Sequence, residues 1–193
     1  MNTLGSGLYV AKHYEDALPV QEAALSMVRR LGASGEYKLA VQSNLANTYK
    51  ALGRHEQALS LQREVYSGRL KLNGEEHKET LRAAHNYAWS LKGLQRFEEA
   101  KSLLRKTIPV ARRVLGEGDG LTLKMRCLYA RALYLNPDAT LDDLREAVTT
   151  LGDLAPTARR VLGGAHPMVR SLEGDLRDAR AALAARETPS GSS

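Results

Sequence analysis

The chain has 193 residues and a formal net charge of +6, and only 5% of its residues are aromatic. Its single cysteine, Cys127, excludes an internal disulfide framework and a cysteine-built zinc site. No apolar run reaches the ~18 residues of a membrane span, and residues 1–10 lack the basic start and long apolar stretch of a secretory signal; the expectation is a cytoplasmic protein with no membrane partner.

Residues 3–38 read as a partial repeat. Tyr14-Glu15-Asp16-Ala17-Leu18 starts an amphipathic helix, and the stretch before it is short and carries Gly5 and Gly7. Pro19 falls near the beginning of that helix, where proline costs least. Residues 39–80 carry Asn44-Leu45-Ala46-Asn47-Thr48-Tyr49, and Leu45, Tyr49 and Leu52 form an apolar stripe at helical spacing. Gly53 suits a left-handed residue closing this helix. His55-Glu56-Gln57-Ala58 opens the next, whose apolar row runs through Leu61, Val65 and Leu72.

Forty-two residues after Asn44 the pattern returns as Asn86-Tyr87-Ala88-Trp89-Ser90-Leu91, within residues 81–122. Phe97-Glu98-Glu99-Ala100 follows, then an apolar row through Leu103, Leu104, Ala111, Val114 and Leu115. It returns again in residues 123–166 as Leu128-Tyr129-Ala130-Arg131-Ala132-Leu133. This repeat is five residues longer, and the extra length is placed most simply in a loop at 136–140. Pro109 and Pro156 stand at equivalent places late in the second helices, and each predicts a kink. Gly152 adds the expectation that its helix is bent or split. Residues 167–186 predict a last helix with Val169, Leu172, Leu176, Ala179 and Leu183 inward. Its other faces carry Arg170, Asp175, Arg177, Asp178, Arg180 and Arg186, as a capping helix requires. Residues 187–193 are too polar to pack and predict a disordered tail.

A fixed period of this length implies stacked helical hairpins. Small residues at Ala46, Ala58, Ala88, Ala100, Ala130 and Ala147 allow the paired helices to approach closely. These residues resemble the tetratricopeptide repeat (TPR), and the 42-residue spacing resembles its kinesin light chain type. The resemblance rests on residues 44–58 and 86–100 and on the loop stretches 72–81, 114–123 and 161–169, and it covers residues 3 to 186. It departs at Leu128, where the family has asparagine, at the short first helix and at the insertion. The fold it implies is all-α: a right-handed α-α superhelix of tandem helix-turn-helix repeats with a C-terminal capping helix.

In such stacks the first helices line a concave groove that holds an extended peptide. The groove-facing set is Ser43, Asn44, Asn47 and Lys50, then Arg82, His85, Asn86, Trp89 and Lys92, then Lys124, Cys127, Leu128, Arg131 and Leu135. Asn44 and Asn86 both donate and accept hydrogen bonds, which suits a peptide backbone; in kinesin light chains, which the sequence resembles, asparagines at these places contact the cargo peptide. Lys50, Arg82, Lys92, Lys124 and Arg131 favour an acidic ligand, and Trp89 is a natural anchor. Chaperone-binding relatives clamp a terminal carboxylate. Asn47, Asn86 and Lys124 match three places of that clamp, but Ser43 and Leu128 replace two of its cations.

No catalytic, metal or cofactor constellation emerges. His55-Glu56 lacks a second histidine four residues from the first, residues 32–35 lack the spacing and lysine of a phosphate loop, and a Cys127–His85 nucleophile lacks an orienting group. The reading is a non-enzymatic protein-interaction scaffold binding an acidic or polar peptide. The alternative is a basic nucleic-acid-associated scaffold, drawn from Arg112-Arg113 and Arg159-Arg160. The N-terminal end shows no equivalent of the capping helix, so a longer array or self-association through that end is expected.

Overall fold

The structure, a computed structural model, describes residues 2–188. Among these residues the regular elements are nine α-helices: α1 (Asn2–Val10), α2 (Tyr14–Arg30), α3 (Gly35–Ala51), α4 (His55–Asn73), α5 (Lys78–Gly93), α6 (Phe97–Leu115), α7 (Gly120–Tyr134), α8 (Leu141–Leu162) and α9 (Pro167–Glu187). They form two compact units, Met1–Leu94 and Gln95–Ser193.

In the first unit each helix packs on the next, and α1 also touches α3. Ala24, Leu25 and Val28 of α2 meet Val41, Leu45 and Tyr49 of α3 and Ala58 of α4, with Leu18, Ala33 and Leu61 at the edge. The period-derived stripe Leu45–Tyr49 is therefore core. A buried polar pin joins three helices: Gln21 Nε2 donates to the Gly5 carbonyl at 3.1 Å, and Thr48 Oγ1 donates to Gln21 Oε1 at 2.7 Å. Gly5 makes this approach possible, since a Cβ there would stand 2.7 Å from Gln21 Cγ. The glycine that shortens the apolar pattern of α1 is what seats α1 on α2.

In the second unit α7 packs against both α6 and α8, and α9 covers α8 and touches α7. Leu104, Leu123, Met125, Leu128, Leu133, Leu151, Leu154 and Leu172 are fully buried there. Helix starts are capped by local chemistry. Ser34, Thr140 and Asp119 accept backbone N–H bonds through side-chain oxygens, and His77 and His166 do so through Nδ1. The two loop histidines are thus N-caps.

Several expectations are corrected. Leu72 and Val114 are exposed: the buried sets of α4 and α6 end at Arg69 and Ala111, one turn earlier. Gly152 does not split α8, and helices α6 and α8 are each continuous in hydrogen-bonded residues through Pro109 and Pro156. Both prolines are solvent-exposed. The extra length of the fourth repeat is shared. The turn before α8 spans 135–140, against 52–54 and 94–96 in the repeats before it, and α8 itself has 22 residues against 19 in α4 and α6. Helix α9 extends through Glu187, the first residue of the expected tail, and residues 189–193 lie outside the described residues. Asp175 was expected on an outer face of α9 but is 8% exposed and faces α7.

Gly53 adopts φ +73°, the left-handed conformation expected for it, and Gln95 takes the same turn at φ +59°. Glycine has no Cβ to clash there, whereas Gln95 does.

Candidate functional site

The α3 residues Ser43, Asn44, Asn47 and Lys50 follow one another over two helical turns and are all half-buried. Ser43 and Asn44 join Arg82 and Asn86 of α5 around a pocket of ≈ 190 Å³ that also reaches Arg69 and Glu79. Asn44 and Asn47 line a second pocket of ≈ 160 Å³ with Ser6, Tyr9 and Gln21. Asn44 borders both, and its Nδ2 donates to Ser6 Oγ at 3.1 Å. Asn86 Oδ1 lies 3.2 Å from His85 Nδ1, and Arg82 pairs with Glu79 at 3.3 Å. The first unit therefore brings together amide, hydroxyl and guanidinium groups from α1, α3 and α5.

Trp89 sits beside this set. The ammonium of Lys92 lies 5.0 Å from its ring centre and that of Lys50 5.8 Å, within cation–π range. The His85 ring is 6.3 Å away. Burial lowers the Lys50 pKa below its ordinary value, because desolvation disfavours the charged ammonium. A carboxylate brought to this point would restore the interaction that Lys50 loses on leaving water.

The remaining predicted residues lie in the second unit and fare differently. Lys124 is exposed on α7. Arg131 is taken up by α9: its Nε donates to Asp175 Oδ2 at 2.9 Å, and its Nη2 lies 2.7 Å from the same oxygen and 2.8 Å from Ser171 Oγ. Tyr134 donates to Asp175 Oδ1 at 2.9 Å. Leu128 is 1% and Cys127 7% exposed, so neither presents a groove surface. Burial pushes the Cys127 thiol up to about 12, which removes it as a nucleophile near neutral pH.

Sequence reasoning missed Ser6 and Tyr9. A signal for them exists: aligning Tyr14-Glu15-Asp16-Ala17 with His55-Glu56-Gln57-Ala58 places Gly5, Ser6 and Tyr9 at the registers of Ala46, Asn47 and Lys50.

The sequence pattern of a family described as tetratricopeptide repeat matches residues 1–71 and 37–113. No curated protein matches the sequence. Among solved structures, the chain is similar to a Podosopora anserina kinesin light chain-like protein of nearly identical TPR-like repeats, with TM-score 0.79 at 22% identity over 96% of this chain and 86% of that one. It is also similar to BtubC (BKLC) from P. vanneervenii, with TM-score 0.63 at 19% identity over 94% and 75%. A third match is a Rap protein complexed with competence and sporulation factor, with TM-score 0.59 at 17% identity over 96% and 53%. These likenesses establish a fold of tandem TPR-like repeats. No helix among the described residues is long and apolar enough to cross a membrane.

Proposed function

The chain belongs to the tetratricopeptide repeat family, and we propose that it is a non-enzymatic protein-interaction scaffold that holds a peptide segment of a partner on the α1, α3 and α5 face of its first unit. One observation carries the reading: a single pocket is lined jointly by Ser43 and Asn44 of α3 and by Arg82 and Asn86 of α5. Amides on adjacent helices can meet successive peptide groups of an extended chain, donating to its carbonyls and accepting from its N–H groups. Lys50 and Lys92 beside Trp89 favour a peptide with carboxylates near an apolar residue, the residue resting on the exposed part of the indole. The Rap protein, seen with competence and sporulation factor, offers a case in which a chain of similar fold holds a ligand.

The test is a display library of extended peptides selected on the full chain, followed by titration of the best binder. Asn47→Ala with Asn86→Ala lowers its affinity about tenfold, the loss of one or two hydrogen bonds, and leaves the circular dichroism melt unchanged. Equal affinity in the double variant refutes the assignment of this face.

A further inference from the structure

A further hollow of the first unit, larger than the two pockets just described, opens on another side of α3 and meets the first of them only at Leu39. It is an open groove of ≈ 720 Å³ between the N-terminal half of α3 and the C-terminal half of α4. On α3 its lining falls at 35, 38, 39 and 42. At about 100° per residue this face is turned nearly half-way round the helix, about 160°, from that of Asn44 and Asn47. Three features distinguish it from an ordinary surface crease.

Its floor is apolar and close-packed. Leu39 lies against Gly68, where a Cβ would stand 2.5 Å from the Leu39 side chain. The absent side chain lets the α3 leucine sink and leaves space above it. Leu72 lines the same groove and keeps 55% of its surface exposed. Standing outward in the last turn of α4, it adds exposed apolar surface to the rim of the hollow.

Its charges have one predominant sign. Lys38, Arg63 and Lys71 line the groove, and none of them forms an ion pair among the described residues. The only carboxylate in the lining, Glu64, accepts a hydrogen bond from Gln42 Nε2 at 2.6 Å. Many other cations of this molecule are matched: Lys101 with Glu98 and Asp143, Arg105 with Glu146, Arg131 with Asp175, Arg159 with Glu173. An unmatched basic rim around an apolar floor calls for a ligand with carboxylates flanking an apolar stripe. The wall offers no aromatic ring on which a base could stack, which disfavours a single-stranded nucleic acid.

We infer that this α3–α4 groove is a second docking surface, and that it takes an acidic amphipathic helix of a protein partner. The leucine-type side chains of such a helix cover Leu39 and Leu72, and its glutamates meet Lys38, Arg63 and Lys71. The inference is independent of the peptide face proposed above, because the two share no charged residue.

A fluorescein-labelled helical peptide of about 18 residues, built of Glu and Ala with Leu at i, i+3, i+4 and i+7, serves as the probe, read by fluorescence polarisation on the full chain. Saturable binding is expected. It weakens at least tenfold when Lys38→Glu and Lys71→Glu are combined, at least threefold in Leu72→Asn, and not at all in Asn47→Ala with Asn86→Ala. A companion peptide with Lys in place of Glu does not bind. The inference fails if the acidic peptide does not bind, or if binding is indifferent to the charge reversal. It also fails if binding is lost in the asparagine variant, or if mixed-sequence RNA binds this groove more tightly than the peptide. Lys71 is exposed and Lys38 half-buried, and neither forms an ion pair among the described residues, so an unchanged melt accompanies the first result and separates it from unfolding.

Discussion

Helices α3, α5 and α7 occupy one register of the sequence period, and the same three places carry Asn44, Asn47 and Lys50 in α3, Asn86, Trp89 and Lys92 in α5, and Leu128, Arg131 and Tyr134 in α7. In the first unit these side chains border pockets or bracket an indole. In the second unit Leu128 is core, while Arg131 and Tyr134 converge on Asp175 of α9. The two helices differ by what the following first-type helix presents to them. Helix α5 sets Asn86 beside α3 around a pocket and Trp89 between Lys50 and Lys92. Helix α9 offers α7 a buried carboxylate, which needs cationic and phenolic donors and takes them from Arg131 and Tyr134. Polar side chains at these positions either border pockets or are drawn into packing, and Asp175 draws in Arg131 and Tyr134.

The largest effect follows from removing that residue. Asp175→Ala leaves Arg131 half-buried without its anion and Tyr134 without its acceptor, at a cost of about 3 kcal/mol. A urea melt reads the loss. The same variant loosens α9 beside Cys127, whose thiol is unreactive in the folded protein at pH 8 and becomes labelled by a thiol reagent once the cover is weakened. An Asp175→Ala protein with unchanged stability and an unreactive Cys127 would break the contrast between the units.

A smaller effect tests what the units share. Tyr49 Oη donates to Glu22 Oε1 at 2.7 Å, and Tyr129 Oη donates to Glu146 Oε1 at 2.7 Å while accepting from Arg105 Nε at 2.6 Å. Tyr49→Phe and Tyr129→Phe each cost about 1 kcal/mol. The second is the larger, because Arg105 also loses a partner. Burial, reinforced by the neighbouring glutamate, pushes both phenols from 10.0 up to about 12. Between those values the folded chain holds protons that the unfolded chain has released, so stability is intact below pH 10 and declines as pH rises towards 12. Chemical denaturation across this window shows a shallower decline in the double phenylalanine variant.

The smallest effect lies in the turn before α6. Gln95 holds the left-handed conformation that Gly53 holds before α4. Gln95→Gly relieves a Cβ clash and adds unfolded-state freedom; the net gain is about 0.5 kcal/mol, seen as a small rise in the melting midpoint. The reverse change, Gly53→Gln, lowers stability by a similar or larger amount.

The helical fold was legible because periodicity is written locally. Leu45, Tyr49 and Leu52 need only 3.6-residue spacing to be read as one stripe, and Gly53 needs only its place after that stripe. That Asn44 and Asn86 border one pocket was legible for the same reason: they are period mates. The fate of Arg131 was not legible, since its partner Asp175 lies 44 residues on and looked like one more surface charge of an amphipathic helix. The α3–α4 groove was equally hidden. It depends on Gly68 admitting Leu39 and on Leu72 turning outward, facts about depth that helical spacing does not encode.

From its residues alone, then, this chain settles what repeats: the hairpin, its period, its turns and the faces that must be apolar, because these follow from backbone geometry and side-chain spacing within a few residues. Which polar groups border pockets and which are drawn into packing was decided only when helices distant in sequence met. Hydrogen bonds and ion pairs act over ångströms in space, and sequence distance does not record them.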